Sequence, residues 1–428
     1  MAALLERLSP ASRYALVIVT LAYLLMLGGG GDSLSGALVI AAVWSVAAAA
    51  TVIQKWGRIA LKRATVLAGP GAAMAVLAVV VIWSMTPFIP GGVHPAWTYV
   101  QGAQGAATLN VGSTMARMVA LAGLVCTFAV GFALGRRDHP ARFACTGLIC
   151  GGVAYGLLSL VLFGQDLHPG ARMTATLPSP NIAATLFAAL AVLSIGFALS
   201  ATRRPGRKLN SPLYWSAAGL FTICLLLTAS RGGVVAAAAG VIALLTLEAL
   251  AGRVHRRASI AIGAGALVLV AVEGASLLAR TAGPAVSTEF RGQMFSLYWK
   301  GFLASPLFGY GLGAFDETNR LLLTPAVFEA AWDVGSAHNL YLQWLLETGL
   351  FGALPMFAAV ALVIAGTWRG LDRRRRSTTL IRALLAVDAV FLVHSWTDFT
   401  LQVPAMAAFF ALVLGLQFGL AHGSSDHR

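Results

Sequence analysis

The stretch Ile182 to Leu199 reads IAATLFAALAVLSIGFAL and holds no charged residue. A run of this kind approaches the roughly 20 residues needed to cross the hydrocarbon layer, where a helix satisfies all of its own backbone hydrogen bonds. It is followed at once by the basic run ATRRPGRKLN and then by a second apolar run, Leu213 to Leu227. The same alternation continues outward in both directions. Twelve spans are expected: Tyr14–Leu27, Leu34–Ile53, Val66–Trp83, Met115–Leu134, Ala144–Phe163, Ile182–Leu199, Leu213–Leu227, Val234–Leu250, Ser259–Leu278, Leu350–Thr367, Ala383–Trp396 and Val403–Ala421. The chain is 58% hydrophobic and 11% charged, against roughly 45–50% and about 25% in soluble domains. The expected fold class is therefore an all-α integral membrane protein with about 12 transmembrane helices, forming a single polytopic domain over residues 1–428.

Basic residues are retained in short cytoplasmic loops, which orients the chain. With the N-terminus inside, all but seven of the 30 Lys and Arg residues fall in inward segments; the outward seven are Arg117, Arg172, Arg231, Arg280, Arg291, Lys300 and Arg320. Both termini are then expected on the cytoplasmic side. The net charge of +14 is spread loop by loop as a topology signal, whereas a nucleic-acid binder gathers its basic residues into one footprint. The N-terminal run lacks a small-residue cleavage site and is expected to stay as the first helix. Cys126, Cys145, Cys150 and Cys224 all fall within apolar runs and read as small core residues.

Two outward segments are long enough to carry function. One, Thr86 to Ser113, is rich in Gly and Pro and has no basic residue. The other, Arg280 to Ala337, lies between the ninth and tenth spans and is expected to be the large outward loop. It contains Met294, Leu297, Tyr298 and Phe302 at helical spacing, a pattern that can lie along a membrane interface, and then the turn SPLFGYGLGAF, Ser305 to Phe315. The glycines Gly309, Gly311 and Gly313 read as a plain turn, since no strand precedes them and no phosphate-loop lysine follows.

No H-E-x-x-H, Walker loop, G-x-S-x-G elbow or Cys/His cluster is present, so the expectation is a site with no metal and no cofactor. The polar residues on the outward side are few. His338, in DVGSAHN at the mouth of an apolar helix, is placed on one face with Tyr341, Leu342 and Leu345. Imidazole titrates near neutrality, which suits a general base; a polar residue meeting local hydrogen bonds is the competing reading. Arg231, in TASRGG, sits in a tight outward turn, where an uncompensated guanidinium near hydrocarbon costs about 2.5 kcal/mol or more. It is expected to meet an anion. Arg291 and Arg172 are the other outward arginines in structured context, and guanidinium groups grip phosphate oxygens two at a time. Asp398 stands one turn beyond His394 at i, i+4, a spacing at which the two can satisfy each other. Glu347 lies on the opposite side of its helix from His338, so no His–Glu dyad is expected.

These motifs resemble the O-antigen ligase and O-antigen polymerase superfamily of bacterial membrane glycosyltransferases. The resemblance rests on HNLYLQWLLETGLFG (His338 to Gly352), TASRGG (Thr228 to Gly233), the SPN element from Ser179 with Asn181, Arg291 followed by SPLFGYGLGAF, and HSWTDFTLQVPA (His394 to Ala405), in family order from Arg172 onward. It implies transfer of a glycan from an undecaprenyl-diphosphate-linked donor to an acceptor hydroxyl on the periplasmic face of the bacterial inner membrane. In the ligase the acceptor is the lipid A core; in the O-antigen or exopolysaccharide polymerase it is another lipid-linked repeat. By the same resemblance His338 is catalytic and Arg231 and Arg291 bind the diphosphate; Arg172 is expected to join them from its own outward turn, with Asn339, Asn181 and Asp398 as supporting residues. A lipid-glycan flippase or transporter is the rival class, but it would place its ionisable residues near mid-membrane rather than at one rim.

Overall fold

The computed structural model describes residues 8–28, 34–62, 64–99, 105–202, 210–252, 286–325, 327–374 and 376–423. Among these the regular structure is entirely helical. In chain order the helices are α1 (Pro10–Leu27), α2 (Leu34–Ile53), α3 (Lys55–Lys62), α4 (Ala68–Ser84), α5 (Val111–Gly135), α6 (Asp138–Gln165), α7 (Pro180–Thr202), α8 (Ser211–Leu227), α9 (Arg231–Leu250), α10 (Val286–Ala304), α11 (Phe315–Leu322), α12 (Phe328–Ala331), α13 (Leu340–Leu371), α14 (Thr378–His394) and α15 (Pro404–His422).

Nine helices among the described residues are long and apolar enough to cross a membrane, and each coincides with one of the twelve expected spans. Of the other three, α8 is a shorter apolar helix and α14 carries Arg382 and Asp388 inside it. The ninth expected span, Ser259–Leu278, lies outside the described residues. The charges inside α14 are paired: Arg382 with Glu248 of α9 at 3.2 Å, and Asp388 with Gln417 of α15 at 2.6 Å. Such partners are what lipid-embedded ionisable groups require.

The centre of the bundle is α7 and α15, whose apolar windows are 89% and 100% buried, so the charge-free run Ile182–Leu199 is core rather than lipid-facing. Without a hydrophobic drive between helices in lipid, close packing of small residues takes over. A Cβ on Gly131 or Gly415 would fall within 2.5 Å of the opposite backbone, so α5 and α15 cross at their glycines. The two ends of the bundle differ in charge. At one end Arg136 donates to the His422 carbonyl, Arg374 donates to Gly423 O and pairs with Asp138, and Arg382 meets Glu248. The opposite end holds the start of α7, α9, α13 and α15 and the finish of α14.

α13 is two helices joined at a break. Gly349 takes φ 60°, ψ −168°, so the helix carrying the LYLQWLLE residues from Leu340 ends there and a second begins at the expected span start, Leu350. A broken helix leaves carbonyls and amides without partners. The turn 306–311 supplies them: Tyr310 and Gly311 donate to the carbonyls of Leu346 and Glu347 (3.1 and 2.7 Å), while Leu350 and Phe351 donate to Pro306 and Leu307 (2.8 and 3.0 Å). The glycines are therefore a turn, as expected, and the turn is a plug for the break. Glu347 completes the joint by accepting from Gly313 N at 2.6 Å and Gln343 Nε2 at 2.7 Å. The apolar face Met294, Tyr298 and Phe302 is covered by Phe315, Leu342 and Leu346 rather than left for an interface.

A Cβ on Gly349 would fall 2.3 Å from the Leu307 carbonyl group, in a left-handed backbone region that L residues avoid. Gly349→Ala is expected to cost about 3 kcal/mol or more, read as a drop in the melting temperature of the purified protein. An unchanged melting temperature would show that the joint is not structural.

Candidate functional site

The loop between α14 and α15 organises the site. His394 ends α14, and both it and Asp398 are fully buried. They do not pair with each other: helical geometry stops at His394, so the i, i+4 spacing no longer places residue 398 on its face. His394 Nδ1 instead lies 2.5 Å from Thr185 Oγ1, which is 3.0 Å from Thr400 Oγ1. Asp398 accepts from its neighbour's amide, Phe399 N, at 2.8 Å and from Asn181 Nδ2 at 2.5 Å. Asn181 in turn accepts from Arg172 Nη2 at 3.1 Å, and Arg172 Nε donates to the Thr228 carbonyl at 2.9 Å. Arg172, Asn181 and Asp398, 226 residues apart at their extremes in sequence, thus form one relay. A buried carboxylate needs such donors to stay compatible with its surroundings.

TASRGG builds the second arm. Thr228 anchors Arg172, Ala229 turns the chain at φ 48°, and the Ser230 hydroxyl accepts from Gly233 N at 3.2 Å, capping α9. Arg231 is the first residue of α9 and is exposed, three residues beyond the carbonyl that holds Arg172. A helix N-terminus adds its own partial positive charge there. Gly232 lies against the central loop, since a Cβ would come 2.8 Å from His394 Nε2 and 3.0 Å from Thr397 Oγ1. Arg172 also lines an open cavity of about 530 Å³ together with Asp166 and His168.

His338 approaches the same loop from α13. It lies ahead of the helix rather than on its face: α13 starts at Leu340, Asn339 accepts from Leu342 N at 3.0 Å as the N-cap, and His338 has φ 48°. Histidine is among the few side chains enriched in this left-handed region, where strain persists only when the surroundings fix it. The surroundings do: Leu340 N donates to Ser395 O at 2.9 Å, Tyr341 Oη to Leu392 O at 2.8 Å, and the His338 ring packs edge-on against Phe399 at 5.1 Å. Asn339 therefore has a capping role, while Asn181 and Asp398 link the arginine arm to the residue that His338 packs on. Glu347 points away from His338 into its bonds with Gly313 and Gln343, as expected from its helical position.

Arg291 falls on α10, with its side chain outside the described residues, and Arg280 also lies outside them. The hub residues Thr185, His394, Phe399 and Thr400 were not among the expected site residues. His394 and Phe399 are present in the HSWTDFTLQVPA motif, but only the fold shows which of its side chains face inward. Among the described residues, no group of three or more His, Cys, Asp or Glu side chains is arranged to hold a metal ion.

No curated protein matches the chain. Residues 216–357 match the family model described as O-antigen ligase. That stretch takes in Arg231, Arg291, the plug at 306–311 and His338, while Arg172, Asn181 and Asp398 lie beyond its limits on either side. The family matched over residues 216–357, O-antigen ligase, is the superfamily that the motifs of this chain resemble.

Proposed function

We propose that the protein is a periplasm-facing, metal-independent, inverting glycosyltransferase that moves a glycan from an undecaprenyl-diphosphate donor to an acceptor sugar hydroxyl, with the lipid A core as acceptor. The observation that carries this reading is the convergence on a single loop of the three segments that bear Arg172, Arg231 and His338. Arg172 reaches Asp398 through Asn181, Arg231 heads the helix whose Gly232 abuts His394 and Thr397, and His338 packs on Phe399.

In the proposed reaction the acceptor oxygen attacks the anomeric carbon from the face opposite the diphosphate. His338 takes the hydroxyl proton, the carbon–oxygen bond to the diphosphate breaks, and the electron pair leaves with undecaprenyl diphosphate. Arg172 and Arg231, joined by Arg291 as the family resemblance implies, stabilise the charge that grows on the leaving group. Fixed guanidinium groups do this without reorganising at the moment of reaction, and the half-lipid substrate explains a polar site at the rim of an apolar bundle.

The test is transfer by the purified protein in nanodiscs, from an undecaprenyl-diphosphate glycan to lipid A core, with a chelator present. Product is expected; absence of product without chelator overturns the reading, and loss only with chelator overturns its metal-free part. Gene deletion followed by surface-glycan gels decides the acceptor. Core without polymer is expected for a ligase, whereas core capped by a single repeat would assign the protein as a polymerase.

A further inference from the structure

A cavity of about 350 Å³ opens beside the His338 junction, walled by α2, α5, α11, α13 and the start of α15. That is within the range of small-ligand pockets. Its polar groups are Arg117, Asp316, Gln343, Trp344, Glu347 and Gln402. Leu340, two residues after His338, and Leu401, two after Phe399, also line it. None of the residues that hold Arg172 or border Arg231 does. The cavity therefore lies two residues along the chain from each member of the His338–Phe399 contact and is built from helices other than those of the arginine arm.

Its charge is unlike that of the arginine arm. One guanidinium faces two carboxylates and two amides, a balance that disfavours a phosphate and suits a neutral group able both to donate and to accept. Glu347 is fixed by Gly313 N and Gln343 Nε2, and Gln343 Oε1 by Ala337 N at 2.9 Å. A carboxylate offers about four acceptor directions, so Glu347 keeps some for a ligand while its position is set in advance. The Trp344 indole offers a flat apolar face of the kind on which the C–H side of a pyranose lies. The facing wall is apolar, from Ala37 and Ala41 of α2 and Ala120 and Gly123 of α5, both helices long enough to span lipid.

We infer that this cavity binds the neutral saccharide end of the lipid-anchored acceptor. The inference rests on the transferase reading: attack from the face opposite the diphosphate requires an acceptor site distinct from the guanidinium arm, and the cavity has none of that arm's residues in its wall while Leu340 and Leu401 bring it next to the His338–Phe399 contact. Arg117, the one charged residue of a helix long enough to span lipid, is then a ligand-binding group. The cost of a charge in that position is the signal in the sequence that marks it.

Two conservative variants test this in the full-length protein in nanodiscs: Gln402→Leu and, at the exposed rim, Asp316→Asn. Gln402→Leu removes the amide's donors and acceptor, and Asp316→Asn turns one acceptor oxygen into a donor, so the KM for lipid A core is expected to rise about fivefold or more, with the donor KM within about twofold. Calorimetric binding of dephosphorylated core oligosaccharide should weaken to the same degree in both, and should be unaffected by Arg172→Ala. An unchanged acceptor KM and unchanged oligosaccharide binding in both variants would overturn the assignment, as would a donor KM that rises in step. The binding arm needs no turnover. If the wild type transfers nothing yet binds the oligosaccharide in a Gln402- and Asp316-dependent way, the transferase reading fails while the saccharide site stands.

Discussion

Replacing His338 with asparagine is expected to lower kcat by about 100- to 10,000-fold, the usual worth of a positioned general base, with little change in melting temperature. Asparagine is the informative choice because His338 has φ 48°. Asparagine accepts that backbone region, whereas alanine adds strain of its own. Asn cannot take a proton from the acceptor, so the variant separates the two roles left open by sequence: base, or residue suited to a left-handed junction. His338→Ala should lose at least as much activity and also some stability, through the strain and the lost contact with Phe399. Near-normal transfer by His338→Asn would reduce the histidine to a backbone device and leave the proposed mechanism without its base.

The spans were legible because a charge-free apolar run has one stable environment and, within it, one backbone solution. Nothing in the Ile182–Leu199 run says that it is central rather than lipid-facing; its neighbours decide that, and they come from every part of the chain. The candidate site was legible as a set of residues and not as an arrangement. Arg172, Asn181 and Asp398 are each visible as polar residues in outward turns, yet the hydrogen bond between Asn181 and Asp398 spans 217 residues, beyond any local pattern. His338 was placed on the face of α13 because periodicity carries no information on where the first turn begins; the Asn339 cap sets that. The plug is the clearest case of a feature seen in part. Gly309 announces a turn and the tenth span is expected to start at Leu350, but that the turn fills a break at Gly349 follows only when residues 306–311 and 346–351 are brought side by side. Arg117 could have been found earlier, because the reasoning applied to Arg231 applies equally to it.

Arg231→Lys is expected to lower kcat/KM for the donor by about 100-fold or more, the loss typical of removing one donor aimed at developing charge. Lysine keeps the positive charge at the first turn of α9, where the helix dipole adds to it. What it loses is the planar fork that binds two phosphate oxygens together. The fold should not respond, since Arg231 is exposed while the Ser230 cap and the Gly232 contact with His394 are left in place. Arg172 makes the comparison quantitative. Two of its N–H groups donate to Thr228 O and Asn181 Oδ1, a pair of bonds in fixed directions that the single ammonium of lysine cannot reproduce. If both guanidinium groups hold one diphosphate, the losses from Arg172→Lys and Arg231→Lys are coupled, and the double variant should lose less than the product of the two single losses. Strictly multiplicative losses, with each variant's donor KM at the wild-type value, would mean that the arginines do not share a ligand. The charge growing on the departing diphosphate would then have to be met by other groups.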